Sequence, residues 1–211
     1  MNLSEALSKH SFSLFFGKAK TRGEALTRYR ALQLFTKASW CKTDLNQYLN
    51  DFAKSSLGTR EKKEFQQNFC LRISTKEHGD PLLYHGLYRD TRYTLALFKY
   101  NESSETNEYE YLACMGFDVL GDNIIIQQIQ GNHGKEKFLC LFKWERMLLA
   151  ILTDWAKQNG FSQIRVIQAK DTEWYRNEDR KKRMFMHYDV TARRSGFRFD
   201  QTSGQYVKVL A

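Results

Sequence analysis

Residues 123–160, NIIIQQIQGNHGKEKFLCLFKWERMLLAILTDWAKQNG, restrict the fold more than any other stretch, because the apolar spacing changes within them from strand-like to helical. Ile124, Ile125, Ile126 and Ile129 are β-branched residues in a run of strand length. Gly121-Asp122-Asn123 just before them is turn chemistry, so a hairpin from a preceding strand is expected. Gly131-Asn132-His133-Gly134 then breaks the strand. Farther on, Trp144, Met147, Leu148, Ile151, Leu152 and Trp155 recur at helical spacing, and Asn159-Gly160 supplies a left-handed residue to end the helix. The stretch reads as strand, glycine loop and long amphipathic helix. A helix that starts just beyond such a loop directs free N–H groups and its positive dipole end into it, where a phosphate or pyrophosphate could bind. Two glycines that only turn a corner are the commoner use of such a loop. The nucleotide-triphosphate loop G-x-x-x-x-G-K-[ST] is not matched, since Gly131 and Gly134 stand too close and Glu136 follows Lys135, which disfavours a nucleotide hydrolase.

The flanking segments extend this unit. Residues 93–100, YTLALFKY, are rich in strand formers, and the polar residues 101–107 connect them to residues 108–120, EYEYLACMGFDVL. With residues 123–130 this makes three successive strands, for which an antiparallel meander is the economical topology. Residues 161–169 carry Ile164, Val166 and Ile167, a short strand that can lie parallel to 123–130 through a right-handed crossover, giving one βαβ unit. Residues 171–195 are polar and helix-compatible, with Lys181, Met184, Tyr188 and Ala192 near one stripe and Gly196 closing the helix. GFRFDQTSGQYVKVL reads as a final hairpin turning at Ser203-Gly204.

Upstream, Phe65, Phe69, Leu71 and Ile73 are strand-like, and the only proline, Pro81, falls in the loop beyond them. A helix with one buried face is expected over residues 21–38, from Ala25, Leu26, Tyr29, Leu32 and Phe35. A second helix carries Leu45, Tyr48, Leu49 and Phe52, with Thr43 as N-cap and an end near residues 55–58. A boundary near residue 60 divides the chain into a helical extension over 1–60, packed on the core, and a domain over 61–211.

Thirty-three Lys and Arg against 24 Asp and Glu leave a net charge of +9, which favours anionic partners such as phosphorylated cofactors, nucleic acid or acidic lipid without choosing among them. Cys41, Cys70, Cys114 and Cys140 form no C-x-x-C motif and sit among apolar neighbours, so reduced, buried thiols in a cytosol are expected. The N-terminus has an apolar cluster only at residues 12–16 and an acidic Glu5, unlike an export signal, and no apolar run is long enough for a membrane span. The expected location is cytoplasmic.

The order of these elements resembles the GNAT N-acyltransferase superfamily over about residues 65–211. The resemblance implies an α+β (mixed α/β) fold: a GNAT-like central mixed sheet with an antiparallel meander, one βαβ unit and a C-terminal hairpin, preceded by N-terminal helices. In that family the loop after the fourth strand follows Gln/Arg-x-x-Gly-x-Gly/Ala, and its backbone amides hold the pyrophosphate of acyl-CoA. Gln128-Ile129-Gln130-Gly131-Asn132-His133 fits except at its last position, where His133 replaces a small residue. The implied donor site is Gln128, Ile129, Gln130, Gly131, Asn132, His133, Gly134 and Lys135, with Lys135 complementing the phosphates. The family's general acid, a tyrosine four residues before Gly-Phe, is Ala192 here, and Tyr188 one turn earlier is the substitute. A narrower similarity is to the VirK/YbjX family, carried by Gln130-Gly131, Arg180-Lys181-Lys182-Arg183 and Tyr188-Asp189. The implied function is transfer of an acyl group from acyl-CoA, or another phosphopantetheine donor, to an amine. The alternative is a non-catalytic binding or regulatory module on the same frame.

Acyl transfer needs a base for the ammonium, a donor that polarises the thioester carbonyl and an acid for the thiolate. Strict alternation along residues 108–118 puts Glu108, Glu110, Leu112, Cys114, Gly116 and Asp118 on one face, so Glu110 and Asp118 are the candidate carboxylates, although a solvated sheet face is the commoner explanation of such residues. Cys140 and His133 could pair as nucleophile and base, but Cys140 lies in an apolar run and a core cysteine is the commoner case. The five histidines show no metal-ligand spacing, so no metal is expected. Arg180-Lys181-Lys182-Arg183, near Trp174, Tyr175, Phe185 and Tyr188, is the best nucleic-acid candidate, blunted by Asp171, Glu173, Glu178 and Asp179 just upstream.

Overall fold

Runs of β-branched and aromatic residues separated by turns form one mixed sheet in the computed structural model, which describes residues 42–54, 57–58, 69–75, 91–100 and 109–210. The strands are β1 (Phe69–Thr75), β2 (Tyr93–Tyr100), β3 (Tyr109–Leu120), β4 (Asn123–Gly131), β5 (Gln163–Val166), β6 (Arg198–Asp200) and β7 (Gln205–Val209). Their spatial order is β1-β2-β3-β4-β5-β7-β6. β1 to β4 form the antiparallel meander, β4 and β5 are parallel, and the β6–β7 hairpin adds antiparallel to β5 through β7. This is the arrangement that the GNAT resemblance implies. The expected helix over 21–38, the apolar cluster at 12–16, the loop at Pro81 and the boundary near residue 60 lie outside the described residues.

Two bulges break the alternation assumed for β3 and β4. Ala113 opposes Leu97 while Tyr111 opposes Phe98, so Leu112 is an extra residue and Glu110 falls out of phase with Cys114 and Asp118. Opposite Gly116 and Phe117 stand Gln128 and Ile126, which makes Gln127 the extra residue of β4. A glycine is required at this second bulge. A Cβ on Gly116 would meet Thr91 Oγ1 at 2.4 Å, Gln128 Oε1 at 2.8 Å and Gln128 Cβ at 2.9 Å, and both neighbours are buried. Gly116→Ala should therefore destabilise the fold by about 1–3 kcal/mol, read as a lower urea midpoint; an unchanged midpoint would show that the bulge can absorb a methyl group.

The helix after the glycine loop is split, contrary to the single long helix expected. α2 (Glu136–Leu139) makes one turn, and α3 (Trp144–Gln158) starts only after Cys140 to Lys143. The interruption is held by the chain after α1 (Lys42–Phe52), because Ala53 bridges Phe142, Lys54 N–H donates to Leu141 O at 3.0 Å and Lys143 N–H donates to Phe52 O at 2.9 Å. Phe142 is buried edge-on against Phe69, with ring centroids 6.2 Å apart. Thr43 lies within α1 rather than at its cap. α3 buries the apolar stripe expected of it, including Met147, Leu148, Ile151, Leu152 and Trp155, each worth about 1.5–3 kcal/mol of transfer free energy. It packs against α1, β3 and β5, and Tyr48 O–H of α1 donates to Asp154 at 2.5 Å. Cys114 is buried as expected, whereas Cys140 is exposed in the turn after α2, because the split helix turns that position away from the core. No helix among the described residues is long and apolar enough to cross a membrane.

Candidate functional site

β5 is too short to accompany β4 to its end. Parallel pairs run only from Asn123–Gln163 to Ile126–Val166, with a last bond from Ile167 N–H to Ile126 O at 3.2 Å. Beyond that point Gln127 to Gly131 line an open cleft of about 710 Å3. Its far wall comes from residues that the sequence reading had placed in a single helix. Two 3-10 turns, Ala169–Asp171 and Glu173–Arg176, precede α4 (Glu178–Phe185), whose N-terminus is capped by Asn177 Oδ1 accepting from Asp179 N–H at 3.0 Å.

The helix continues through a π turn, Met186–Val190, into α5 (Thr191–Arg194), and ends at Gly196 with φ 81. A π turn holds one residue more than an α turn and commonly marks functional sites. Thr191 Oγ1 donates to Met186 O, five residues back, at 3.1 Å. The consequence is that Tyr188 and Asp189, although adjacent, both bond inward to different strands. Tyr188 is 2% exposed; its hydroxyl accepts from Ile129 N–H at 2.9 Å and donates to Gln127 O at 3.2 Å. The phenol thus spans the bulge of β4 where the sheet opens. Asp189 accepts from Ala169 N–H at 2.9 Å, just after β5, and from Tyr206 O–H of β7 at 3.0 Å. Arg193 Nε donates to Tyr206 at 3.0 Å, and burial pushes the Tyr206 phenol up.

Of the donor-site residues expected from sequence, Gln128, Ile129, Gln130, Gly131, Asn132 and His133 line the cleft, while Gly134 and Lys135 do not. Lys135 pairs with Glu110, so both expected charges are spent on a clasp between the loop and β3. Asn132 ties the loop to the same strand, donating from Nδ2 to Tyr111 O at 2.9 Å and from its backbone N–H to Leu112 O at 2.7 Å. Asp118 accepts from Arg92 N–H and from Gln127 Nε2, each at 2.8 Å. Neither Glu110 nor Asp118 lines the cleft. Gly131 is needed for packing, since a Cβ there would stand 2.9 Å from Leu139 Cδ1 and 3.3 Å from Trp144 Cζ2.

Glu136 is held below the usual carboxylate range by its own backbone N–H above all, helped by His133, Arg183 and Gly134 N–H. The basic run 180–183 is engaged locally: Arg180 lies 5.0 Å from the Trp174 ring centroid, Lys181 pairs with Glu178, and Arg183 Nε donates to His187 at 3.3 Å. Sequence reasoning missed Gln127, the 3-10 turns and the group formed by Glu145, Arg183 and His187. Only the adjacency of Tyr188 and Asp189 offered a signal.

No family model and no curated protein matches this chain. Among solved structures it is similar to a GNAT family N-acetyltransferase (YhbS) from Escherichia coli in complex with CoA, at 11% identity over 68% of this chain and 82% of that one, with a TM-score of 0.37. It is also similar to the ribosomal-protein-S18-alanine N-acetyltransferase from Escherichia coli, at 14% identity over 82% and 91% of the two chains, with a TM-score of 0.33. An aminoglycoside 6'-N-acetyltransferase complexed with coenzyme A gives 11% identity over 81% and 91%, with a TM-score of 0.35. The strand order itself, an antiparallel meander, one parallel βαβ step from β4 to β5 and a closing hairpin, is that of a GNAT-like fold.

Proposed function

We propose that the chain is an acyltransferase-like protein that binds acyl-CoA, or another phosphopantetheine acyl donor, in the cleft beside β4 and passes the acyl group to an amine. The observation that carries this reading is that β4 runs past the end of β5, so that residues 127–131 line a cleft with strand backbone. An extended ligand carrying amide groups can pair with such a strand, and Arg180 and Arg183 at the cleft wall suit its phosphates. In this reading Gln128, Ile129, Gln130, Gly131, Asn132 and His133 line the donor site, and Gly134 and Lys135 shape its loop. Tyr188, at the bulge, is the general acid for the departing thiolate. In this reading the π turn, which holds one residue more than an α turn, is what turns the phenol toward the bulge of β4. Asp118 is a positioning residue that acts through Gln127, and Glu110 is one that acts through Lys135.

Calorimetric titration with acetyl-CoA and longer acyl-CoAs tests the donor site. At least one is expected to bind, and Arg183→Ala should weaken it about tenfold to a hundredfold, the worth of a charge-assisted hydrogen bond. Absence of binding to all of them by folded protein overturns the reading. A non-catalytic binding module is the second reading, favoured by Ala192 at the usual acid position and by a Tyr188 hydroxyl that both donates and accepts within the fold. Amine-dependent thioester cleavage would exclude it.

A further inference from the structure

We infer that His187, held by Glu145, is the group that takes the proton from the acceptor amine; this rests on the acyl-donor reading above. His187 is the residue before Tyr188 in the π turn, and it lines both the 710 Å3 cleft and a second cavity of about 390 Å3, so it stands in the wall between them. Its Nδ1 is 2.7 Å from Glu145 Oε1 at the start of α3, and its Nε2 accepts from Arg183 Nε at the longer distance of 3.3 Å. A carboxylate only accepts and a guanidinium only donates, so this pairing assigns the ring proton to Nδ1 and the lone pair to Nε2. The Trp144 ring packs against the imidazole, tilted by 55° with its centroid 5.4 Å away.

The side chains of His187 and Glu145 are 14% and 20% exposed, buried enough to keep one orientation and open enough to exchange a proton with the cleft. The other proton acceptors of the cleft wall, Asp171, Glu173 and His133, are exposed, and Glu110 and Asp118 lie outside it. Charged groups reach the two cavities from every side. Lys143, Glu145 and Arg146 come from the start of α3, Lys54 from the segment after α1 and Glu136 from α2. The helix of His187 itself contributes Arg180, Arg183 and Arg194. Glu145 is the carboxylate among them that touches the imidazole, and it is placed to stabilise the imidazolium that forms.

In the step, Nε2 takes a proton from the acceptor ammonium, and the amine lone pair forms a C–N bond to the thioester carbonyl carbon, leaving the nitrogen with one proton in excess. The C–S bond then breaks with its electron pair on sulfur, and Tyr188 O–H protonates the thiolate. The excess proton on nitrogen passes through water to the Tyr188 phenolate, which restores the phenol, and the imidazolium releases its proton to solvent. Arg183 can donate to an incoming phosphate instead of to Nε2, which couples donor capture to release of the lone pair.

The test compares wild type, His187→Gln and Glu145→Gln for binding of acetyl-CoA and octanoyl-CoA by calorimetry, and for thiol release with a panel of primary amines across neutral to alkaline pH. His187→Gln is expected to bind the donor as wild type does but to release thiol about two to four powers of ten more slowly near neutrality. The deficit should shrink as pH approaches the pKa of the free amine, because solvent then supplies the deprotonated nucleophile. Glu145→Gln should show the same pattern with a smaller loss. Wild-type turnover in His187→Gln, or a loss equal at all pH values, overturns the inference and leaves the donor reading standing. If wild type binds the donor but turns over no amine, the inference also falls. If wild type binds no donor, the donor reading falls first and the inference with it.

Discussion

Tyr188→Phe is expected to lower turnover by about two to four powers of ten while donor affinity is kept, because the general acid is removed and the ring stays. The geometry also requires a stability cost. The substitution leaves Ile129 N–H without the hydroxyl that accepts from it at 2.9 Å, and Gln127 O without the donor at 3.2 Å. Both groups belong to the bulge of β4, so a loss of about 1–3 kcal/mol follows. The two effects separate when thiol release is measured per folded molecule and the midpoint of unfolding is measured in parallel. Equal turnover per folded molecule retires the acid assignment and leaves Tyr188 as the residue that holds the bulge.

Asp189→Ala should have the largest effect on stability. Its buried carboxylate accepts from a backbone N–H after β5 and from the Tyr206 hydroxyl of β7, and so joins the helix to two strands at once. Each is a bond to a charged group, worth about 1.5–3 kcal/mol, and removal leaves two buried donors unpaired, so a cost of roughly 3–5 kcal/mol is expected. That is a large part of a typical total of about 5–15 kcal/mol. Asp189→Asn keeps the shape but turns an N–H2 toward one of the two donors, and should recover only part of the loss. Urea unfolding of both variants checks this, and a cost below about 1 kcal/mol for alanine would show that Ala169 and Tyr206 find other partners.

The candidate site was legible only in part. Residues 128–133 could be placed because they belong to a strand and its following loop, and the loop pattern of the resemblance covers them. Glu110 and Asp118 were assigned to one face by strict alternation, and the bulge at Leu112 breaks that alternation. Lys135 was read as a free cation, which requires that no carboxylate lies nearby. Glu110, 25 residues away in sequence and on β3 beside the loop, occupies it.

By itself the sequence determined the strands β2 to β4 with their antiparallel pairing, the apolar face of α3, the glycine that ends α5 and the closing hairpin. Each of these follows from periodicity and turn chemistry within a few residues, and neither depends on how distant segments meet. Only the tertiary structure decided where the helix after the glycine loop breaks, because that depends on Ala53 reaching Phe142. The same holds for the extra residue Gln127, which is defined only by its register against Gly116 and Phe117. The π turn that turns Tyr188 and Asp189 inward, and the pairing of His187 with Glu145 across 42 residues, are also tertiary. In each case the deciding energy is a contact between segments remote in sequence, which local propensity does not encode.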